Sequence, residues 1–429
     1  MELLATIGFA IAFFVLIMAS VALHEIGHMV PAKRFGVRVP QYFVGFGPKI
    51  WSTVRGETEY GLKWFPLGGY VQLLGMYPPR PDGTQRRTRL SEFADDARDY
   101  EWTQISEADV AGERLFYQKK TWQKLIVMAG GPVMNLLIAF VLMLAVTAGY
   151  GVYRAQTTIA YVQPCVIADA TRTQCAATDP ASPAAAAGLK VGDRITEFNG
   201  TAIDSYAQLS TLIRANRDGV AQLVVQRDGQ RVVLTPVRTI VNSVVDQLDP
   251  GRTVQAGWLG ISPQQNLVKG GPVEVVSDMW TLTQQSVVAL AQFPVKVWNV
   301  VAGMVTGQPR GLSDPISILG ASQVAGQVVA SGELDVGAKV ASFASLLASV
   351  NLFLALFNFV PLPPLDGGHI AGALYEGLRR GLAKLSGRRD PGFFDTAKLL
   401  PIAYGVGGLL LISGIALILA DIISPIQLF

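Results

Sequence analysis

Two histidines and a glutamate lie close together in the stretch His24-Glu25-Ile26-Gly27-His28. Residues four apart fall on one face of a helix, so both imidazoles can bind one Zn²⁺ ion. Glu25 projects beside them, where it can take a proton from a water molecule at the metal. The pattern therefore indicates metal-assisted hydrolysis. The alternative is that the three groups only extend toward water from the end of an apolar helix.

A third ligand must come from elsewhere in the chain, because a catalytic zinc site holds three protein ligands and one open position. Asp366 is the first acid after the charge-free run 340–365, and a carboxylate oxygen is an acceptable zinc ligand. The alternative is an ion pair of Asp366 with Arg379 or Arg380. His369, the third histidine, either orients Asp366 or has no role in the site.

The elements that must position these residues are apolar. Half of the chain is hydrophobic and 16% is charged, which is below the soluble average of about 25%. A helix needs about 20 apolar residues to cross the hydrocarbon core, so we predict four transmembrane helices. They cover the uncharged stretches 3–23, 125–153, 340–365 and 399–420. The alternatives are buried helices of a large soluble protein and, for the first stretch, a signal peptide.

Lys and Arg residues orient the predicted helices, because they are enriched in cytoplasmic loops. They cluster after the first and third helices, as Lys33, Arg34, Arg86, Arg87 and Arg89, and as Arg379, Arg380, Lys384, Arg388 and Arg389. The N-terminus, the region 154–280 and the C-terminus then lie outside the cytoplasm. His24, His28 and Asp366 come to the same cytoplasmic depth. A net charge of +3, with no Lys/Arg block that carries interleaved aromatic residues, argues against nucleic-acid partners.

Three segments between the predicted helices have patterns of their own. Alternating residues around Arg55-Gly56-Glu57 predict a β-hairpin, and a second turn is expected at Pro66-Leu67-Gly68-Gly69. Segment 155–240 is expected to form a small globular module with a hairpin around Asp228-Gly229. Residues 280–306 predict a helix that lies on the outer membrane surface or belongs to a core outside the membrane.

The two cysteines, Cys165 and Cys175, both fall in the predicted outer module. A compartment outside the cytoplasm is oxidising, which favours a disulfide that closes a short loop. Two free thiols are the alternative.

The chain resembles the site-2 protease family, peptidase family M50. The resemblance rests on HEIGH at 24–28, PLGGY at 66–70, GGPVMN at 130–135 and NFVPLPPLDGGH at 358–369. Their order, with one module outside the membrane, resembles bacterial regulator-of-sigma-E-type proteases that carry a single PDZ domain. The likeness is weakest at 78–115 and 240–310. Asp314 and Ser317 depart from a Gly-Pro-Ile-Gly pattern, which bears on local packing.

The resemblance implies a role for each matching polar residue. His24, His28 and Asp366 would bind zinc, and Glu25 would be the general base. Asn358 would help to hold the substrate backbone. Its alternative role is a hydrogen bond between membrane helices, shared with Asn351 on the same helix face.

Gly68 and Gly69 would lie in a membrane-associated β element that pairs with an unwound substrate strand. The alternative is that these two glycines form only a turn. Pairing with such an edge would supply the hydrogen bonds that an unwound helix loses in lipid.

The fold implied by the resemblance is a polytopic α-helical membrane protein with four transmembrane helices, a membrane-associated β element and one extracytoplasmic PDZ domain of the α+β type. The expected order is a first transmembrane helix (1–36), the β-hairpin region (37–77), a cytoplasmic loop (78–122), a second transmembrane helix (123–153), the PDZ domain (155–240), a linker with an amphipathic helix (241–335), a third transmembrane helix (338–372), a cytoplasmic loop (373–396) and a fourth transmembrane helix (397–424).

The implied activity is zinc-dependent cleavage of single-pass membrane proteins, such as anti-sigma factors or remnants of signal peptides, in or near their membrane spans. The implied location is the bacterial plasma membrane, with the active site toward the cytoplasm. A catalytically silent scaffold that holds partner tails with its PDZ module is the alternative from another functional class.

Overall fold

The computed structural model describes residues 2–79, 89–167, 174–308, 310–311, 313–330 and 334–426. Arg86 and Arg87, two of the residues used for the predicted orientation, lie outside this range. The described chain forms two compact units, Met1–Ala145 together with Val275–Phe429, and Val146–Glu274.

Long helices carry most of the first unit. In chain order the helices are α1 (Glu2–Arg34), α2 (Arg89–Trp102), α3 (Glu107–Ala111), α4 (Thr121–Gly149), α5 (Pro183–Ala186), α6 (Tyr206–Asn216), α7 (Pro272–Thr306), α8 (Ile318–Ala330), α9 (Val336–Asn358), α10 (Asp366–Leu385) and α11 (Leu400–Ile423). A 3₁₀ turn, Thr396–Leu399, precedes α11.

Five helices in the described part of the chain are long and apolar enough to cross a membrane: Thr6–Arg34, Thr121–Gly149, Pro272–Thr306, Val336–Asn358 and Thr396–Ile423. Four of them coincide with the stretches predicted to span. The fifth, α7, contains the residues for which the sequence predicted a surface or core helix. Large apolar side chains stand exposed on these helices, for example Ile412 at 68%, as a lipid environment allows.

The strands, in chain order, are β1 (Gln41–Arg55), β2 (Thr58–Gln72), β3 (Val152–Val162), β4 (Arg194–Phe198), β5 (Thr201–Ala202), β6 (Val220–Ala221), β7 (Leu223–Arg227), β8 (Gln230–Val233), β9 (Val237–Arg238), β10 (Ile240–Val245), β11 (Thr253–Trp258) and β12 (Ile261–Val268). Of these described strands, β1 and β2 belong to the first unit and the others to the second. The predicted hairpin around Gly56 is present, since Arg55 pairs with Thr58.

The β1–β2 element has more pairings than a simple hairpin. Residues 41–44 pair on one side with 59–62 and on the other with 69–72, while 51–55 pair with 58–62. The segments 59–62 and 69–72 run in opposite directions along 41–44, so the chain reverses between them. Gly68, in this reversal, has φ +130°, a conformation that favours glycine. Segment 69–72 therefore forms one edge of the element.

Helices α1 and α9 run parallel to each other. Phe13 stacks edge-on against Phe343 at 5.1 Å between ring centroids. Further along both helices, the amide of Asn351 donates to the hydroxyl of Ser20 at 3.1 Å. From the first contact to the second, the residue numbers increase on both helices. The two helices therefore run in the same direction, and their carboxyl ends lie toward the same end of the first unit.

The second unit is a β-sheet covered by helix α6. The sheet has the strand order β12-β3-β4-β7-β8, with β5 beside β4. Its core includes Ile159, Ile195, Leu209 and Leu223, each at most 1% exposed. The sheet extends past the predicted module 155–240 at both ends. Strand β3 begins at Val152, and β12, which ends at Val268, pairs with β3 in the same sheet. Cys165 and Cys175 form a disulfide there.

Candidate metal centre

The three predicted ligands come together at one point of the first unit. His24 and His28 lie one helical turn apart near the carboxyl end of α1, and Asp366 begins α10. The Nε2 atoms of the two histidines are 3.2 Å apart. Each of them lies 3.3 Å from Oδ2 of Asp366. Two segments more than 300 residues apart in sequence thus direct three donor atoms toward one position.

A backbone carbonyl fixes the orientation of the His28 ring. Nδ1 of His28 lies 2.8 Å from the carbonyl oxygen of Val127 on α4. A carbonyl only accepts, so Nδ1 carries the proton and the Nε2 lone pair of the neutral ring faces His24 and Asp366. Such a partner on the outer nitrogen is usual for a histidine that binds a metal.

The donor set fits zinc. Two imidazole nitrogens and one carboxylate oxygen form a ligand set found in catalytic zinc sites, and the three atoms all lie within 4.8 Å of one another. Oδ2 of Asp366 is buried and has no hydrogen-bond donor among the described residues. A buried oxygen without a donor is costly, and a cation held by the three residues would remove that cost.

Glycines without side chains leave space for these groups where helix α4 packs closely against α1. A Cβ atom on Gly131 would lie 2.2 Å from Nε2 of His28 and 2.6 Å from Nε2 of His24. Gly27 and Gly130 meet backbone to backbone, with 2.0 Å between an added Cβ on Gly130 and the carbonyl oxygen of Gly27. Glycines at these positions let α4 pack directly against the face of α1 that carries His24 and His28.

Glu25 lies between the ligand pair and the β element. Its side chain is half-buried and lies near the backbone of Val71. A Cβ atom on Gly69 would lie 3.3 Å from Cγ of Glu25. The edge segment 69–72 therefore passes directly beside this carboxylate.

The described bonds of Arg379 and Arg380 do not support the ion pair considered for Asp366. Arg379 donates to the carbonyl oxygens of Pro391, Gly392 and Phe393. Arg380 pairs with Asp390 and Glu376.

The two asparagines of α9 have different bonds. Asn358 donates to the carbonyl oxygen of Leu354 at 3.0 Å, within its own helix. Asn351, which is buried, makes the bond between helices that was considered for both. His369 is half-buried. Its Nδ1 has no hydrogen-bond partner among the described residues.

Sequence reasoning did not find the packing roles of Gly27, Gly130 and Gly131, or the carbonyl of Val127. The glycines were visible in HEIGH and GGPVMN, but their partners lie on the opposite helix. A carbonyl oxygen leaves no signal in a sequence, because every residue has one.

Comparison with known proteins assigns the class. The model of peptidase family M50 matches residues 12–389. The chain therefore belongs to peptidase family M50, the site-2 protease family, and it is a zinc metalloprotease. With its long apolar helices, it is a multi-pass membrane protein.

Individual relatives agree with this class. The chain is 34% identical over 431 residues to "Zinc metalloprotease Rip1" of Mycobacterium tuberculosis, with 98% of each chain covered. It is 26% identical over 410 residues to a putative zinc metalloprotease of Brucella suis, with 93% of each covered. It is 27% identical over 381 residues to "Metalloprotease MmpA" of Caulobacter vibrioides, with 84% of each covered.

Proposed function

We propose that this protein cleaves single-pass membrane proteins, of the anti-sigma-factor or signal-peptide-remnant type, in or near their membrane spans. The convergence of His24, His28 and Asp366 carries the proposal. These donors lie near the carboxyl ends of two parallel apolar helices, α1 and α9. In this proposal they are at a depth that both a membrane-embedded peptide bond and water can reach. In this proposal the reaction takes place in the plasma membrane, toward its cytoplasmic side.

In the proposed mechanism, His24, His28 and Asp366 would hold zinc, which would supply Lewis acidity toward a peptide carbonyl and a water molecule. Glu25 takes the proton of the attacking water and passes it to the leaving amine. The carbonyl of Val127 keeps His28 in the tautomer that presents Nε2. Asn358, at the end of α9, is placed at the substrate backbone in this proposal.

A substrate helix must unwind before its carbonyl can be attacked, and each unpaired backbone group costs several kcal/mol in lipid. Segment 69–72 offers a strand edge beside Glu25. Addition of the substrate to this edge would replace the lost hydrogen bonds. Gly68 and Gly69 serve the proposal by allowing the chain reversal and the close passage past Glu25.

The second unit serves as an extracytoplasmic PDZ domain in this proposal. PDZ domains bind an extended peptide at a sheet edge. Here β12 is the last strand of its sheet, and a cavity of about 100 Å³ lies between α6 and residues 257–261. The Cys165–Cys175 disulfide supports a location in an oxidising compartment.

Glu25→Gln tests the proposal. With the full-length variant and a tagged single-pass substrate in liposomes, we expect cleavage to fall at least about 100-fold, because the general base is lost. Zinc content should stay unchanged, since the three ligands remain. Glu107→Gln, an exposed substitution on α3, is the control and should cleave normally. Equal cleavage by Glu25→Gln and wild type would refute the mechanism, and a cut site far from the substrate span would refute the intramembrane assignment.

A further inference from the structure

A cavity of about 640 Å³ lies beside the strand edge in the first unit. Residues 70–73 form one wall, and α2 forms another through Asp96, Tyr100 and Glu101. Among the described residues, the strand partner of 69–72 is 41–44 alone. The edge that passes Glu25 therefore continues directly into this cavity.

The α2 wall is firmly attached to the rest of the unit. Buried Arg98 pairs with Asp395 at 2.7 Å, just before the turn that leads into α11, and donates to the carbonyl oxygen of Pro78. Glu101 accepts the backbone N–H groups of Met76 and Tyr77 at 2.8 and 3.0 Å. The cavity is thus bounded by anchored elements on both sides.

The lining has the chemistry of a site for cationic side chains. Helix α2 contains five acidic and two basic residues, and the described lining of the cavity includes Asp96 and Glu101 but no Lys or Arg. The carboxylate of Asp96 is exposed, while that of Glu101 is buried and bonded to backbone N–H groups. Four tyrosines also line the cavity, namely Tyr70, Tyr77, Tyr100 and Tyr404, and aromatic faces attract Lys and Arg.

We infer that this cavity binds the basic cytoplasmic flank of a substrate's membrane span. The inference rests on the proposed function, in which the substrate adds to segment 69–72. Cytoplasmic flanks of membrane spans are enriched in Lys and Arg. A substrate strand whose scissile bond lies at Glu25 would carry that flank along residues 70–73 into the acidic, tyrosine-lined cavity. The cavity thereby selects substrates by the charge next to the cleaved span.

A binding measurement separates this inference from catalysis. Full-length protein with Glu25→Gln, in detergent micelles, is titrated into a fluorescent peptide of alternating Lys and Ala residues. A matched peptide has Gln in place of Lys. We expect the Lys peptide to bind more tightly, and Asp96→Lys to weaken its binding about fivefold or more, because an attraction becomes a repulsion. Higher salt should reduce the preference.

Glu107→Lys is the matched control, since it changes the net charge equally at an exposed position outside the cavity lining. Its affinity for the Lys peptide should equal that of the Glu25→Gln parent. Equal loss in both Lys variants, or no loss with Asp96→Lys, would overturn the inference, as would equal affinity for the Lys and Gln peptides. Failure of the proposed protease function would appear instead as missing cleavage by wild type, with peptide binding intact.

Discussion

Gly131 is the residue on which the space for two imidazoles depends. A methyl group there would come within 2.2 Å of Nε2 of His28 and 2.6 Å of Nε2 of His24. We therefore predict that Gly131→Ala weakens zinc binding about 10- to 100-fold, the loss typical when a group that orients metal ligands is disturbed. Competition with a chelator and elemental analysis of the purified protein measure the change.

Gly149→Ala is the control for this prediction. Gly149 lies on the same helix, and an added Cβ there meets nothing within 4 Å. Zinc affinity should therefore stay at the wild-type value. With excess chelator, the thermal midpoints of both variants should lie close to that of wild type, because imidazoles without metal can turn away from the methyl group. A large loss of stability under chelator would show that the methyl group disrupts the packing of α4 against α1, and would contradict an effect on zinc binding through the imidazoles alone.

At the scale of single residues, the sequence predicted what local spacing encodes. His24 and His28 were predicted as a pair from their separation, and the structure brings Asp366 to them. Gly131 was not predicted as a neighbour of the imidazoles. Its contact joins two helices whose relative rotation has no local pattern.

At the scale of elements, a buried ion pair connects the two helices that support the candidate metal centre. Lys124 of α4 lies 2.8 Å from Glu376 of α10, and both side chains are at most 5% exposed. Lys124 precedes Val127, whose carbonyl orients His28, by one helical turn. Glu376 lies on the helix that begins at Asp366. The pair therefore connects the carbonyl that orients one candidate ligand, His28, to the helix that carries another, Asp366.

Lys124→Met should lower the free energy of unfolding by about 3 kcal/mol. It removes the closer of the two cations that pair with the buried Glu376 carboxylate and leaves only Arg380, at 3.4 Å. The double variant Lys124→Met, Glu376→Met should recover most of this loss. The exposed pair Arg231–Glu197 supplies the control, since Arg231→Met should cost less than about 1 kcal/mol. The free energy of unfolding is measured in micelles for wild type and the three variants. A double variant no more stable than Lys124→Met alone would contradict the prediction.

Element types were easier to predict than their partners. Long uncharged stretches gave the positions of α1, α4, α9 and α11, because crossing hydrocarbon requires that composition. Helix α7 was ambiguous, since Lys296 interrupts its apolar spacing. The residues of β12 were predicted to lie in a linker, because the sequence ISPQQNLV shows no regular alternation of polar and apolar residues. Its place in the sheet depends on pairing with β3, which is distant in sequence.

At the scale of the whole molecule, the parallel packing of α1 and α9 limits how often the chain crosses the membrane. If α1 leads inward and α4 returns outward, α9 must begin outside in order to run parallel to α1. The chain between α4 and α9 then makes an even number of crossings. Helix α8, with 13 residues, is about 20 Å long and too short to span. We therefore predict that α7 does not cross the membrane, despite its length and composition.

Cysteine labelling tests this topology, and the chain is suited to it, because its two native cysteines are joined in a disulfide. Single cysteines are placed at three exposed positions, Ser262 in β12, Gln308 after α7 and Ser386 after α10. A membrane-impermeant maleimide added to intact spheroplasts should label the first two, and should label Ser386→Cys only after permeabilisation. Gln308→Cys that behaves like Ser386→Cys would mean that α7 spans the membrane. Helix α9 would then start on the cytoplasmic side and end outside. Asp366 could not lie at the same membrane depth as His24, so the two residues could not share a metal ion.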